Sequence, residues 1–158
     1  MKTMLTIVVI AIGLALPGYT QETSEGRNLA ELSFDSVDQN EDGYVDKRES
    51  NEFGGSVFVS MDDDNSGQLS EDEFLEWGYG FQNIAEEENK ELAYRTALRV
   101  VFSFWDRDGN GEVSRPEQSH AAMQDFDRAD LNGDALLSET EFIGGFSIMV
   151  AIRAALKP

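Results

Sequence analysis

The chain has 158 residues, room for one compact domain or two small lobes. Its 12 Lys and Arg against 31 Asp and Glu give a formal net charge of −19. That excludes non-specific nucleic-acid binding and argues against docking on anionic lipid. Hydrophobic residues make up 41% of the chain, enough for a core, and with no Cys present neither a disulfide nor a Cys-linked lipid anchor can form.

The first twenty residues read as an export signal. Lys2 gives a positive start, residues 4–16 form an apolar run, and polar residues begin at Thr20-Gln21-Glu22. The run is shorter than the ~20 residues of a comfortable bilayer span. We expect a signal at 1–20, with cleavage after Thr20, and a periplasmic or secreted protein with no stable membrane span. Loss of Lys2 leaves 11 basic against 31 acidic residues, a charge of −20. From residue 29, Leu29, Leu32, Phe34 and Val37 predict a helix entering an oxygen-rich segment at 38–49. Residues 50–61 contain Gly54-Gly55 before Ser56, which predicts two short helices with a turn. A second oxygen-rich segment follows at 62–73. Phe74, Leu75, Trp77 and Phe81 are assigned to the helix leaving it, with Gly78 and Gly80 loosening its end. Glu86 to Glu91 form a charged bridge. Leu92, Ala93, Ala97, Leu98, Val101, Phe102 and Trp105 then recur at helical spacing towards a third segment at 106–117. Residues 118–129 carry no Gly or Pro and read either as one continuous helix or as two short ones. The fourth segment occupies 130–141, and a strongly apolar final helix is expected over 142–156.

The four segments share one pattern. They start at 38, 62, 106 and 130, so the gaps are 24, 44 and 24. A Phe stands four residues before each, at Phe34, Phe58, Phe102 and Phe126. An apolar residue fills the eighth position each time: Val45, Leu69, Val113 and Leu137. Oxygen donors recur at positions 1, 3 and 5: Asp38, Asn40 and Asp42; Asp62, Asp64 and Ser66; Asp106, Asp108 and Asn110; Asp130, Asn132 and Asp134. A Glu closes each segment, at Glu49, Glu73, Glu117 and Glu141. Six to eight oxygens with a closing bidentate carboxylate are what a hard cation of calcium's size requires.

On these residues the chain resembles the EF-hand superfamily, helix–loop–helix proteins such as calmodulin, over about residues 27–157. It is also similar to small secreted bacterial EF-hand proteins with closely spaced paired loops. The resemblance implies an all-α fold of two EF-hand pairs, residues 29–81 and 82–157, binding up to four Ca2+. It implies further ligation by the position 7 backbone carbonyls of Tyr44, Gln68, Glu112 and Leu136, and by Asp46 at position 9 of loop 1, a position that often ligates through water. The position 8 residues are expected to bridge the two loops of each pair.

Loop details grade the sites. A Glu at position 12 favours calcium over magnesium in every loop. Loop 1 presents the most charge, with Asp38, Asp42, Asp46 and Glu49; in loop 2 a neutral Ser66 stands at position 5. Loop 4 has Ala135 at position 6, where Gly is usual because the backbone needs a positive φ, so it is expected to be the weakest site. His120 is the only histidine and cannot assemble a zinc site or a triad alone. The expected role is a non-enzymatic calcium buffer or structural calcium binder. The alternative is a calcium-dependent sensor that docks an unknown protein partner through the apolar helix 142–156. Met61, Met123 and Met149 are few for a promiscuous groove.

Overall fold

The computed structural model describes residues 25–77 and 80–157; the expected signal at 1–20 lies outside them. Helices dominate, and four three-residue strands join them. In chain order these are α1 (Glu25–Val37), β1 (Tyr44–Asp46), α2 (Lys47–Met61), β2 (Gln68–Ser70), α3 (Glu71–Glu76), α4 (Phe81–Glu87), α5 (Glu91–Trp105), β3 (Glu112–Ser114), α6 (Arg115–Ala129), β4 (Leu136–Ser138), α7 (Glu139–Gly145) and α8 (Ser147–Leu156).

The strands pair across the chain. β1 runs antiparallel to β4 with Val45 opposite Leu137, and β2 runs antiparallel to β3 with Leu69 opposite Val113. The position 8 residues do form backbone bridges, and all four are fully buried. Their partners differ from expectation: loop 1 faces loop 4 and loop 2 faces loop 3, not 1 with 2 and 3 with 4. The physical cause is the connection between neighbouring loops. α2 and α6 are each continuous helices of 15 residues, spanning ~22 Å at 1.5 Å per residue. Each leaves one loop and enters the next, so it holds those two loops at opposite ends and they cannot meet.

Gly54-Gly55 therefore does not stop a helix. A Cβ on Gly54 would lie 2.7 Å from the Gln118 amide nitrogen, so the glycine permits close approach of α2 to α6. The two helices run antiparallel. Lys47 at the start of α2 lies over the Phe126 ring near the end of α6 and pairs with Asp127 at 2.7 Å. At the other end, Arg115 lies over the Phe58 ring, 4.9 Å from its centre.

Two apolar clusters follow the strand pairing. The inner one surrounds loops 2 and 3, with Phe58, Leu69, Phe74, Tyr94, Leu98, Phe102 and Trp105 among its members. The outer one lies under loops 1 and 4 and comprises Phe34, Val37, Val45, Phe126, Ala129, Leu137 and Phe142. The inner cluster takes in Ile152 of α8 and residues on both sides of position 82.

Two further expectations are corrected. Phe81 does not belong to the helix leaving loop 2: α3 stops at Glu76, and Phe81 opens α4 after Gly80, which takes φ +85°. The final apolar segment is two helices, not one. Gly144-Gly145 end α7, and Phe146 adopts extended geometry. Asp125 of α6 then accepts hydrogen bonds from the Ser147 backbone N–H at 3.2 Å and hydroxyl at 2.6 Å, capping α8 from another helix.

Candidate metal centres

Each loop is folded by its own acceptors. The position 1 carboxylate accepts from the position 6 N–H: Asp38 from Gly43 at 2.8 Å, Asp62 from Gly67 at 3.0 Å, Asp106 from Gly111 at 2.9 Å and Asp130 from Ala135 at 3.0 Å. The position 3 side chain accepts from the position 5 N–H at 2.8–3.0 Å in all four. The position 5 oxygen accepts from the position 7 N–H, as Asp42 does from Tyr44 at 2.9 Å, Ser66 from Gln68, Asn110 from Glu112 and Asp134 from Leu136. Donor atoms at positions 1, 3 and 5 are thus turned inward on one small curve of chain.

The position 12 Glu closes this curve from the following helix. One oxygen of Glu49, Glu73, Glu117 and Glu141 accepts from backbone N–H groups near the loop start: Asn40, Asp63, Arg107 and Leu131, respectively. The other oxygen accepts from the position 9 N–H, at 2.8–3.0 Å. Position 9 returns the bond as a helix N-cap. Asp46, Ser70, Ser114 and Ser138 each form a capping box with the Glu three residues on. Ser70, Ser114 and Ser138 were not among the expected site residues, although the spacing Ser-x-x-Glu is readable in each loop. Their effect is chemical as well as structural. The Ser70 N–H and hydroxyl hold the Glu73 carboxyl below the usual carboxylate range. The Ser114 hydroxyl and N–H do this for Glu117, and those of Ser138 for Glu141. Each Glu is therefore kept charged.

Convergence is strongest in the inner loops. Asp62, Asp64 and Glu73 bring carboxylate oxygens within 4.8 Å of one another, and so do Asp106, Asp108 and Glu117. Among the described residues, loops 1 and 4 form no such carboxylate trio; Asn40 and Asn132 hold position 3 there. Asp46, the extra charge of loop 1, is engaged as the cap of α2, accepting from the Glu49 N–H at 2.7 Å. Arg48 also approaches Asp46 and the fully buried Glu49, at 3.8 and 3.7 Å. The high charge expected of loop 1 is thus partly countered within the loop.

Backbone strain is distributed unevenly. Position 6 takes a positive φ in every loop: 84° at Gly43, 81° at Gly67, 88° at Gly111 and 65° at Ala135. Ala135 therefore does adopt the conformation its side chain disfavours. Position 4 is left-handed too, at Glu41, Asn65, Gly109 and Gly133. Glu41, with φ 58°, is a strained residue that pattern matching at positions 1, 3, 5, 6 and 12 passes over.

His120 lies apart from these sites. Its Nε2 is 3.0 Å from Arg107 Nη1 and 2.8 Å from Gln124 Nε2.

This helix–loop–helix geometry agrees with comparisons against known proteins. Residues 29–53 and 56–76 match the family described as EF hand, and the two segments contain loops 1 and 2. Over these segments the chain is similar to the EF-hand family. It is also similar to troponin C, isoform 2A, of Homarus americanus, with 31% identity over 99 residues, covering 55% of this chain. The chain spans 63% of that relative's length. Among the described residues, no helix of the chain is long and apolar enough to cross a membrane.

Proposed function

We propose that the protein is an exported calcium-binding protein that takes up to four Ca2+ and acts as a calcium buffer or structural calcium binder, not as an enzyme. The observation that carries this reading is the convergence of three carboxylates within 4.8 Å in each inner loop. A hard divalent cation is the partner that such a charge concentration needs. The proposed side-chain ligands are positions 1, 3, 5 and 12 of each loop, with the position 7 carbonyl and, in loop 1, Asp46 through water. When bound, the cation supplies positive charge to a chain of net charge −19. Four ions would add +8, so folding stability should rise with free calcium.

The donor set fits calcium better than magnesium. Glu at position 12 can offer two oxygens, which suits a shell of six to eight ligands rather than a tight octahedron. The strand bridges couple loops 1 and 4, and loops 2 and 3, so cooperativity is expected within those pairs.

The sensor reading needs the apolar surface of 142–156 to be free for a partner. Here Ile152 of α8 is buried in the inner cluster, and Ile148, Met149 and Leu156 pack against it. That covering favours the buffer or structural role. Titration calorimetry on the protein lacking residues 1–20 tests the proposal: four ions should bind, loop 4 most weakly. Saturation at two ions or fewer would contradict it. A hydrophobic dye whose fluorescence rises severalfold with calcium would move the balance to a sensor.

A further inference from the structure

Loop 3 begins 68 residues after loop 1, and loop 4 follows loop 2 by the same interval. The interval recurs in the packing. Lys47 lies over the Phe126 ring at 5.4 Å, and their counterparts, Arg115 and Phe58, repeat the contact at 4.9 Å. Phe34 meets Phe142 edge-on at 5.8 Å and 65°, and their counterparts, Phe102 and Phe74, meet at 5.5 Å and 65°. The two strand bridges correspond in the same way. The Ser119 hydroxyl donates to the Asn51 side-chain oxygen at 3.2 Å. These two residues are each other's counterparts, so a pseudo-twofold axis passes between them. Two like units, α1–α3 and α5–α7, are thus joined face to face.

Neither unit has a core of its own. The inner cluster combines Phe58, Leu69 and Phe74 of the first unit with Phe102, Trp105 and Val113 of the second. The outer cluster combines Phe34 and Val45 with Phe126 and Leu137. Both strand bridges also run between units. What each unit packs on is therefore the other unit, and a second copy of the chain presents that same surface. Two copies that exchange units keep every contact between units and change only the connection.

The connection holds a strained turn. Between α4 and α5, Asn89 takes φ 56°, a left-handed conformation that Asn tolerates better than most residues but still adopts at a cost. The Lys90 N–H reaches back to the Ala85 carbonyl at 2.7 Å, five residues away. Residues 81–105 contain no Gly or Pro, so straightening at 88–90 makes α4 and α5 one helix. That helix spans ~37 Å at 1.5 Å per residue and carries the first unit clear of its own second unit. Short hinges under strain invite this exchange.

We propose that the protein forms an exchanged dimer with a second copy of itself, α1–α4 of each copy packing on α5–α8 of the other, with Glu88-Asn89-Lys90 as the hinge. Closed monomer and exchanged dimer differ in the hinge conformation and in the entropy of association, so concentration and the hinge residue set the balance.

The protein is unfolded in urea, refolded at high concentration with calcium present, and sized by light scattering. A dimer should appear beside the monomer. Asn89→Ala favours the straight helix and disfavours the positive φ, so it should raise the dimerisation constant about tenfold; Asn89→Gly should lower it by about as much. Asn89 is exposed, so both variants keep the packed core. The chain has no Cys, so Asn51→Cys and Ser119→Cys copies carry one thiol each. Refolded together and treated with a short thiol-to-thiol linker, they should give a linked pair containing one copy of each. Either variant refolded alone, or the two mixed only after refolding, should not. Monomer alone in Asn89→Ala at every concentration, equal dimerisation constants in the two Asn89 variants, or a dimer that links no better in the co-refolded mixture than in either variant alone would each overturn the proposal.

Discussion

The inner pair, loops 2 and 3, and the outer pair, loops 1 and 4, share one backbone plan but differ in how well their residues fit it. The inner pair has Asp at positions 1 and 3, carboxylates already converged, and a large aromatic cluster beneath. Its left-handed positions are held by Gly67, Asn65, Gly109 and Gly111, residues that tolerate that region. The outer pair has Asn at position 3, a smaller cluster, and two residues that resist a positive φ, Glu41 and Ala135. Loop sequence and loop pairing therefore vary together. The inner pair is the better prepared for a cation.

The largest expected difference lies in the cores. Phe74 and Phe142 occupy the same place, one residue past the closing Glu. Phe74 packs edge-on to Phe102 and Trp105 at 5.5 and 5.2 Å between ring centres. Phe142 meets Phe34 at 5.8 Å and Phe146 at 5.0 Å. Phe→Ala in a core costs about 3–5 kcal/mol. We expect Phe74→Ala near the top of that range and Phe142→Ala near the bottom, by chemical denaturation in saturating calcium. Equal costs would remove the distinction between the clusters.

A smaller effect should appear at high pH and belongs to the inner pair alone. Burial pushes the Tyr94 hydroxyl up to about 12. Its folded pKa exceeds the unfolded value, so the neutral side chain's contribution is intact below about 10 and is lost as pH rises towards about 12. Tyr94→Phe should flatten this alkaline loss, and an unchanged alkaline limb would show that Tyr94 does not control it.

Relief of strain should narrow the gap between the pairs. Ala135→Gly should tighten loop 4 by about 1–2 kcal/mol, roughly tenfold in affinity. Glu41→Gly should help loop 1 by somewhat less, since it also removes a side chain that stiffens the unfolded chain. Calorimetry that leaves the weak phase unmoved in both variants would refute the strain argument.

The smallest effect is at the acid end of the calcium-free protein. Glu73, Glu117 and Glu141 have carboxyls held below the usual range, first by their capping serines. A lowered folded pKa contributes stability above the unfolded value, about 4.3, and that contribution disappears as pH falls through the lowered one. Ser70→Ala with Ser114→Ala should therefore raise the acid midpoint more than Ser138→Ala. The reverse order would contradict the serine caps as the source of this acid-end stability.

Much of this was legible in the sequence. The four loops, the buried position 8 residues and the Phe four residues before each loop follow from spacing alone, because a repeating local geometry imposes a repeating pattern. The pairing does not follow from spacing. A twelve-residue connection between loops can be one helix or two, and Gly54-Gly55 looks the same whether it ends a helix or admits Gln118. A signal was present in the ligands themselves: Asn at position 3 with Asp at position 5 in loops 1 and 4, Asp at position 3 in loops 2 and 3. The break between α7 and α8 was less readable, since Asp125, which caps Ser147, lies 22 residues away.

The central claim, calcium bound in loops coupled 1 to 4 and 2 to 3, is tested most directly in Glu117→Gln. The amide signals of Gly67 and Ala135, at position 6 of loops 2 and 4, are followed by NMR during calcium titration. Loop 3 should lose its ion, and Gly67 should report a weakened loop 2, by about 1–3 kcal/mol of coupling, while Ala135 titrates as before. A weakened loop 4 beside an unaffected loop 2 would contradict the pairing, and no response of either signal to calcium in the unsubstituted protein would contradict calcium binding itself.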